Sequence, residues 1–220
     1  MTATRASADV VAALRRVGII PVVRAPSADV AVRVAETLFE AGIPVAEITM
    51  TVPDAFAVIG TVARRFAGRM LVAAGTVTDA EAARRAIDAG AEVVVTPCLV
   101  PEVIAAARAA GITVIAGALT PSEVFQAAGA GADLVKVFPA QSVGGAAYIR
   151  ALRAPFPAIP LVPTGGVRLE TVGDFLDAGA AALGVGGELV RRDALERGDY
   201  DAIGALARRF VRAVGAARGA

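Results

Sequence analysis

The chain has 220 residues, of which 56% are hydrophobic, and its formal net charge at pH 7 is +1. This amount of apolar sequence is enough for one large core, and no linker or low-complexity tract interrupts it, so we expect a single domain over residues 1–220. Acidic and basic residues are interspersed, which excludes the long-range field that would favour nucleic acid or an anionic membrane as a partner.

The N-terminal stretch, residues 1–18, mixes charged residues with short apolar groups. It predicts an amphipathic helix with Ser7 as its N-cap, rather than a signal peptide. No apolar run in the chain approaches the roughly 20 residues that a membrane helix needs. Cys98 is the only cysteine, so no internal disulfide can form, and we expect a cytoplasmic protein.

Histidine is absent from the chain. Its absence removes the usual general base and the commonest metal ligand, so acid–base chemistry falls to Asp, Glu, Lys, Tyr or Cys. With one cysteine and no histidine, we expect no zinc site. A magnesium site built from carboxylates stays open, although no motif signals one.

Along the chain, a helical pattern ends five times in a small residue plus glycine and is followed by a β-branched or apolar run. These glycines fit the left-handed position that closes a helix: Gly42, Gly90, Gly111, Gly131 and Gly179. Three more apolar runs, at residues 18–24, 68–76 and 159–166, complete the rhythm. The sequence therefore predicts eight short strands alternating with helices.

Eight such strands indicate a parallel (β/α)8 barrel, the TIM-barrel fold of the α/β class. A doubly wound open sheet is the alternative. That fold carries a Gly-rich dinucleotide fingerprint after its first strand, whereas this chain reads RAPSAD there, with Ser27 as the expected cap of the next helix.

Lys136 is the one lysine among the 22 Lys and Arg residues, and it lies in the strand-like run DLVKVFPA. Alternate residues of a barrel strand point inward, and the two valines of this run suit the helix-facing side. Lys136 is thus predicted to point into the barrel with Leu134 and Phe138. A desolvated lysine amine, unlike a guanidinium, can lose its proton and attack a carbonyl to form an imine. A snorkelling or edge-strand lysine is the alternative.

The second strand, VAEITMT, places Glu47 on the face opposite Ala46, Ile48 and Met50. Because those three residues suit the helix layer, Glu47 is predicted to lie inside the barrel with Lys136. A carboxylate beside an imine-forming lysine can move the protons of the reaction. The alternative is a buried Lys–Glu ion pair without a catalytic role.

Two other strands end in polar residues, at the end of the barrel where active sites form. Arg24 ends the first strand, where its charge would favour the neutral amine of Lys136. The alternative is an ordinary surface arginine at the start of a helix. Thr76 ends the third strand, before a helix that Thr78 or Asp79 caps.

Glycine pairs follow the seventh and eighth strands. Gly165 and Gly166 come after Thr164, and Gly186 and Gly187 precede a short predicted helix. Backbone amides at such turns predict a phosphate or other anion site in this pair of loops. The alternative is that both pairs only form tight turns.

Five segments of the chain carry a family resemblance: EITMTVPDA, AAGTVTDAE, VTPCLVPEV, DLVKVFPAQSVGG and PTGGV. Together they resemble the class I 2-keto-3-deoxy-6-phosphogluconate (KDPG) aldolase family, which includes 4-hydroxy-2-oxoglutarate (KHG) aldolases, from about Val17 to the C-terminal helix. The resemblance implies a homotrimeric lyase that cleaves a 4-hydroxy-2-keto acid to pyruvate and an aldehyde, without a metal or an organic cofactor.

The resemblance also implies roles for single residues. Lys136 would be the Schiff-base lysine and Glu47 the general acid and base. The implied substrate contacts are Arg24, Thr76, Pro97, Phe138 and the loop of Thr164, Gly165 and Gly166.

Two positions depart from the family pattern. Some members have an arginine near the substrate carboxylate in the EITMT segment, whereas this chain has none between Thr49 and Val52. Anchoring of the carboxylate would then rest more on Thr76, Arg24 and backbone amides. Glu188 replaces a common serine after Gly187, and we expect it to point outward, because an inward carboxylate would repel a phosphate.

Two other functions stay open. The first is a phosphate-binding barrel enzyme without imine chemistry, in which Lys136 acts as a plain cation. The second is a non-catalytic scaffold built on the same barrel.

Overall fold

The computed structural model describes residues 5–219, which form eight strands and ten α-helices. The strands are β1 (Ile19–Val23), β2 (Val45–Thr49), β3 (Leu71–Gly75), β4 (Val93–Val95), β5 (Thr113–Ala118), β6 (Leu134–Val137), β7 (Leu161–Pro163) and β8 (Leu183–Val185). The helices are α1 (Ser7–Val17), α2 (Ala28–Glu40), α3 (Ala55–Arg65), α4 (Ala80–Asp88), α5 (Pro101–Ala109), α6 (Pro121–Gly129), α7 (Gly145–Arg153), α8 (Val172–Asp177), α9 (Arg192–Arg197) and α10 (Tyr200–Ala217).

All eight strands are parallel, and each pairs with its neighbour in the chain. The first and last strands also pair, and a bridge between Thr164 and Gly184 joins the ends of the seventh and eighth. The sheet is therefore closed into a barrel, which confirms the predicted (β/α)8 fold. The open sheet, which leaves two unpaired edges, is wrong.

The helix boundaries follow the local signals in the sequence. The side chain of Ser27 accepts a hydrogen bond from the Val30 amide, which confirms the predicted cap. Of the two candidates Thr78 and Asp79, the cap is Asp79, whose side chain accepts from the Ala82 amide. The five repeat glycines all have positive φ, as predicted for the residue that ends each helix: Gly42, Gly90, Gly111, Gly131 and Gly179.

The predicted N-terminal helix is confirmed as α1, but Ser7 as its cap is wrong. The cap position is Ala6, and the Ser7 hydroxyl instead bonds Thr113 Oγ1 at 2.8 Å and Asp133 Oδ1 at 3.0 Å. Those partners lie at the beginnings of β5 and β6, so α1 covers the amino-terminal end of the barrel. Residues 1–4 of the predicted helical stretch lie outside the described residues.

Within residues 5–219, no helix is both long and apolar enough to cross a membrane. All residues of the eight strands are buried, and the core extends from the barrel interior into the layer between strands and helices. The polar side chains of the candidate site lie inside the barrel and at the carboxyl ends of the strands, opposite α1.

Candidate active site

Lys136 and Glu47 lie together inside the barrel, as the alternation along their strands predicted. Lys136 Nζ is 3.7 Å from Glu47 Oε1, and the two residues are only 4% and 2% exposed. The ring of Phe138 lies 5.5 Å from the same Nζ, within the range of a cation–π contact. An apolar wall on one side and a carboxylate on the other thus surround the one lysine of the chain.

The Glu47 carboxylate is held against the backbone of the third strand. A Cβ on Gly75 would overlap the Glu47 side chain, with Cγ only 2.6 Å and Cδ 2.7 Å away. Gly75 is paired with Thr49, two residues beyond Glu47, so the missing side chain gives the carboxylate its space. This glycine was not among the predicted site residues.

Glu47 Oε1 is buried and has no hydrogen-bond partner among residues 5–219. The 3.7 Å to Lys136 is longer than a hydrogen bond. Buried carboxylate oxygens are normally paired, so an unpaired one that faces an amine marks a place where a proton can be accepted or donated.

Phe138 and the loop after β7 form one wall of the site. A Cβ on Gly165 would lie 3.2 Å from the Phe138 ring, so this glycine packs closely against the aromatic side chain. Gly165 and Gly166 both have positive φ, and the loop is joined to the segment after β6 by the bond from the Ala140 amide to Thr164 O at 2.8 Å. The predicted turn is therefore docked against the end of the lysine strand.

Thr76 lies directly after β3, half-buried, and has a φ of 59°. A threonine in the left-handed region is strained, and such residues persist where the surrounding structure holds them in place. Here the Val77 amide bonds Val95 O at 3.1 Å, and Asp79 caps the next helix. The strain is consistent with a position selected for function.

Arg24 follows β1 and contacts the loop after β8, the strand that pairs with β1. A Cβ on Gly186 would be 3.3 Å from Arg24 Nη1, so the guanidinium covers that glycine. Arg24 is exposed, and among the described residues it forms no ion pair with a side chain. The structure thus brings Arg24 to Gly186, one of the glycines of the predicted anion site.

The loop after β8 forms a single tight turn. The amides of Leu189 and Val190 both donate to Gly186 O at 2.9 Å, and the six-residue helix α9 follows from Arg192, which confirms the short helix predicted after Gly186 and Gly187. Glu188 is exposed, and its charge helps to raise the pKa of Arg191, although the hydrogen bond from Arg191 to Asp193 contributes more. The exposure of Glu188 leaves its outward orientation a prediction.

Pro97 lies in the turn after β4, beside Gly117 of β5. Thr96, which precedes it, is fully buried and hydrogen-bonded, and its importance was not predicted. In the described part of the chain, no three His, Cys, Asp or Glu side chains are grouped so that they could hold a metal ion.

Comparison with known proteins identifies close relatives over nearly the whole chain. The family model "Aldolase: KDPG and KHG aldolase" matches residues 10–206. A 2-dehydro-3-deoxy-phosphogluconate aldolase from Treponema pallidum is 35% identical over 204 residues, which cover 92% of this chain and 96% of the relative.

Solved structures that share this fold are also similar to the chain in sequence. A KDPG aldolase from Legionella pneumophila, with pyruvate captured as a covalent carbinolamine intermediate, has a TM-score of 0.83 and 28% identity over 90% of this chain and 96% of its own. A porous protein cage designed by fusing symmetric oligomeric domains has a TM-score of 0.86 and 30% identity over 93% of this chain and 74% of its own.

Proposed function

Because this chain belongs to the KDPG and KHG aldolase family, we propose that it cleaves a 4-hydroxy-2-keto acid, such as KDPG or KHG, to pyruvate and an aldehyde. It is a class I aldolase, an aldehyde-lyase that works through a Schiff base. The observation that carries this function is the buried pair of Lys136 and Glu47, 3.7 Å apart, with the Glu47 oxygen free of any hydrogen bond among the described residues.

Lys136 is the nucleophile of the proposed reaction. Its nearly fully buried amine attacks the C2 ketone and forms a carbinolamine. Loss of water gives a protonated imine, which draws electrons from the C3–C4 bond. As that bond breaks, the C4 hydroxyl becomes the aldehyde and the three remaining carbons become an enamine bound to Lys136.

Glu47 is the acid and base of the same reaction. Its carboxylate accepts the proton that leaves the C4 hydroxyl and returns a proton to C3 of the enamine, after which water releases pyruvate from Lys136. The free Oε1 supports both steps, because an oxygen held by a hydrogen bond would be less available to the substrate.

The remaining predicted residues bind the substrate in this proposal. Thr76, Pro97 and Phe138 surround the pyruvyl part, near the end of the barrel where Lys136 emerges. The backbone amides after Thr164, at Gly165 and Gly166, and those at Gly186 and Gly187, take the far end of the substrate, with Arg24 as the nearby cation. The support is that Arg24 covers Gly186 while Gly165 packs on Phe138.

We also propose that the chain is a single barrel domain that acts as a cytoplasmic homotrimer in carbohydrate metabolism, with small-molecule substrates as its partners. The similarity to a cage built from symmetric oligomeric domains supports self-association. Light scattering on the purified protein measures the number of subunits, and a monomer in solution would contradict the trimer.

The decisive experiment for the function is reductive trapping. The protein is incubated with pyruvate and borohydride, digested, and analysed by mass spectrometry. We expect a reduced pyruvate adduct on the peptide that contains Lys136 and on no other peptide. An unmodified Lys136 peptide would rule out the imine mechanism.

A further inference from the structure

The wall of the barrel next to Lys136 is formed by a peptide bond rather than by a side chain. Gly117 of β5 is the direct partner of Lys136 in β6, and paired residues of parallel strands point to the same face of the sheet. A Cβ on Gly117 would overlap the Pro97–Cys98 peptide, with Pro97 O only 2.7 Å away. That peptide therefore lies inside the barrel, on the face from which Lys136 projects.

The hydroxyl of Thr96 holds this peptide in place. Thr96 is 0% exposed, and its Oγ1 donates to Cys98 O at 2.6 Å and accepts from the Gly117 amide at 2.8 Å. Its own amide donates to Ile115 O at 3.1 Å. One hydroxyl thus closes the turn on itself and joins it to β5, using both its donor and its acceptor capacity.

We propose that Thr96 is a positioning residue, whose hydroxyl keeps the Pro97–Cys98 peptide inside the barrel as the wall that shields Lys136 from water. This inference rests on the imine mechanism above and adds a residue that touches neither the substrate nor Lys136. Its physical basis is that Gly117 offers no side chain to fill the space beside the lysine, so a displaced turn admits solvent there. Water favours the ammonium form, which cannot attack a carbonyl.

The consequence is a pH-dependent loss of imine formation. Among the described residues, Glu47 is the charged group within ion-pair distance of Lys136, and the exposed thiol of Cys98 belongs to the turn itself. Glu47 forms no hydrogen bond with Thr96, so once the thiol is removed a shift in the pH profile reports the solvation of the lysine. A Cys98→Ser background removes any contribution of the thiol.

The test compares Thr96→Val, which keeps the shape of the side chain without the hydroxyl, with Thr96→Ser, which keeps the hydroxyl. The measured quantity is the rate of trapping by pyruvate and cyanoborohydride between pH 6 and 10, a range spanning roughly the neutral-to-basic titration of lysine. For Thr96→Val we expect trapping at pH 7 to fall about tenfold and its midpoint to rise by about one pH unit. Thr96→Ser should retain the wild-type profile.

Thr113→Val is the matched control. Thr113 is a buried threonine on the same strand β5, and its hydroxyl bonds Ser7 at the opposite end of the barrel. The Thr113→Val variant should be less stable than the wild type, because it lacks the hydrogen bond to Ser7, but it should retain the wild-type pH profile. A shift in the control as large as that of Thr96→Val would assign the effect to general loosening and overturn the proposal.

Gly117→Ala disturbs the same peptide without touching Thr96, because the added Cβ meets Pro97 and Cys98. It should shift the midpoint in the same direction, which keeps the proposal testable if Thr96→Val does not fold. A wild-type profile in a folded Thr96→Val or Gly117→Ala variant would overturn the role of the peptide wall. Absence of an adduct in the wild-type protein would instead disprove the proposed aldolase function.

Discussion

Lys136 Nζ lies 3.7 Å from Glu47 Oε1, on strands that are separated by three others on one side of the barrel. The two side chains reach each other across the interior, with both residues nearly fully buried. The separation is short enough for each charge to affect the other, yet no hydrogen bond fixes the carboxylate on the amine. In the mechanism that we propose, Glu47 therefore stays available to a substrate that is bound covalently to Lys136.

Replacement of Glu47 by glutamine separates proton transfer from imine formation. Glu47→Gln keeps the shape of the side chain, and Lys136 remains buried, so we expect pyruvate trapping by borohydride to persist. Turnover of a 4-hydroxy-2-keto acid should fall by about 10²- to 10⁴-fold, the usual contribution of a general acid or base. The measurement is kcat alongside adduct yield, and turnover at the wild-type rate would remove Glu47 from the mechanism.

Replacement of Lys136 by arginine tests whether the positive charge or the amine matters. A guanidinium remains protonated and forms no imine, so Lys136→Arg should yield no borohydride adduct and no detectable aldol cleavage. Lys136→Met, which is similar in length but uncharged, should be equally inactive. Partial activity of the arginine variant alone would favour the alternative in which Lys136 binds an anion as a plain cation.

The inward positions of Lys136 and Glu47 could be predicted because side chains alternate along a strand, so two apolar neighbours on the helix side decide the face. The same local reasoning identified the helix-closing glycines and the Ser27 and Asp79 caps. It was wrong for Ser7, whose partners Thr113 and Asp133 come from distant parts of the chain. A local sequence signal cannot reveal which distant side chains a hydroxyl will contact once the barrel has folded.

Gly75, Thr96 and Gly117 escaped prediction for a related reason. Each acts on a residue of another strand, and the contact depends on the register that pairs Gly75 with Thr49 and Gly117 with Lys136. A glycine inside a predicted strand is the available signal, because it often marks a close approach of another group. The sequence does not say which group approaches.

Gly75→Ala should displace the carboxylate of Glu47 without removing it. Gly75 has no positive φ, so alanine fits the backbone there, but its Cβ would overlap Glu47. We expect a loss of about 1–3 kcal/mol in the free energy of unfolding, as for other overpacked sites. Turnover should fall while pyruvate trapping persists, as in Glu47→Gln.

The control for this substitution is Gly173→Ala, in the first turn of α8, where an added Cβ meets nothing within 4 Å. It should retain activity and raise stability slightly, since alanine favours a helix over glycine. Equal losses of turnover in the two variants would mean that Gly75 has no special relation to Glu47.

The stability of the protein should depend on pH through Glu92, which lies at the other end of the barrel from the candidate active site. Burial raises the pKa of Glu92 above its ordinary value, and the nearby Arg5 offsets this only in part. A carboxyl whose pKa is raised by folding binds its proton more tightly in the native state, so its contribution to stability increases as the pH falls through the folded-state value. That gain is complete at the unfolded value of 4.5.

Glu92→Gln, which mimics the protonated form, should therefore be at least as stable as the wild type at pH 7. Its advantage should vanish as the pH approaches the unfolded value, and it should remain below about 1 kcal/mol because the pair is partly exposed. Urea unfolding at both pH values measures the difference. A variant that is less stable at pH 7 would show that the ion pair with Arg5 outweighs the burial of the carboxylate.

A substitution of Glu188 tests whether this residue makes the chain discriminate against phosphorylated substrates. The residue is exposed, in the turn after β8 that we propose binds the far end of the substrate. Two unit charges about 8 Å apart in water interact by only about 0.5 kcal/mol, or roughly a twofold effect. Glu188→Ser should thus change the ratio of kcat/KM for phosphorylated and unphosphorylated keto acids by no more than about twofold. Arg24→Gln should lower this ratio by a larger factor, because Arg24 covers Gly186. A tenfold gain for the phosphorylated substrate in Glu188→Ser would mean that the carboxylate points into the loop and repels the phosphate.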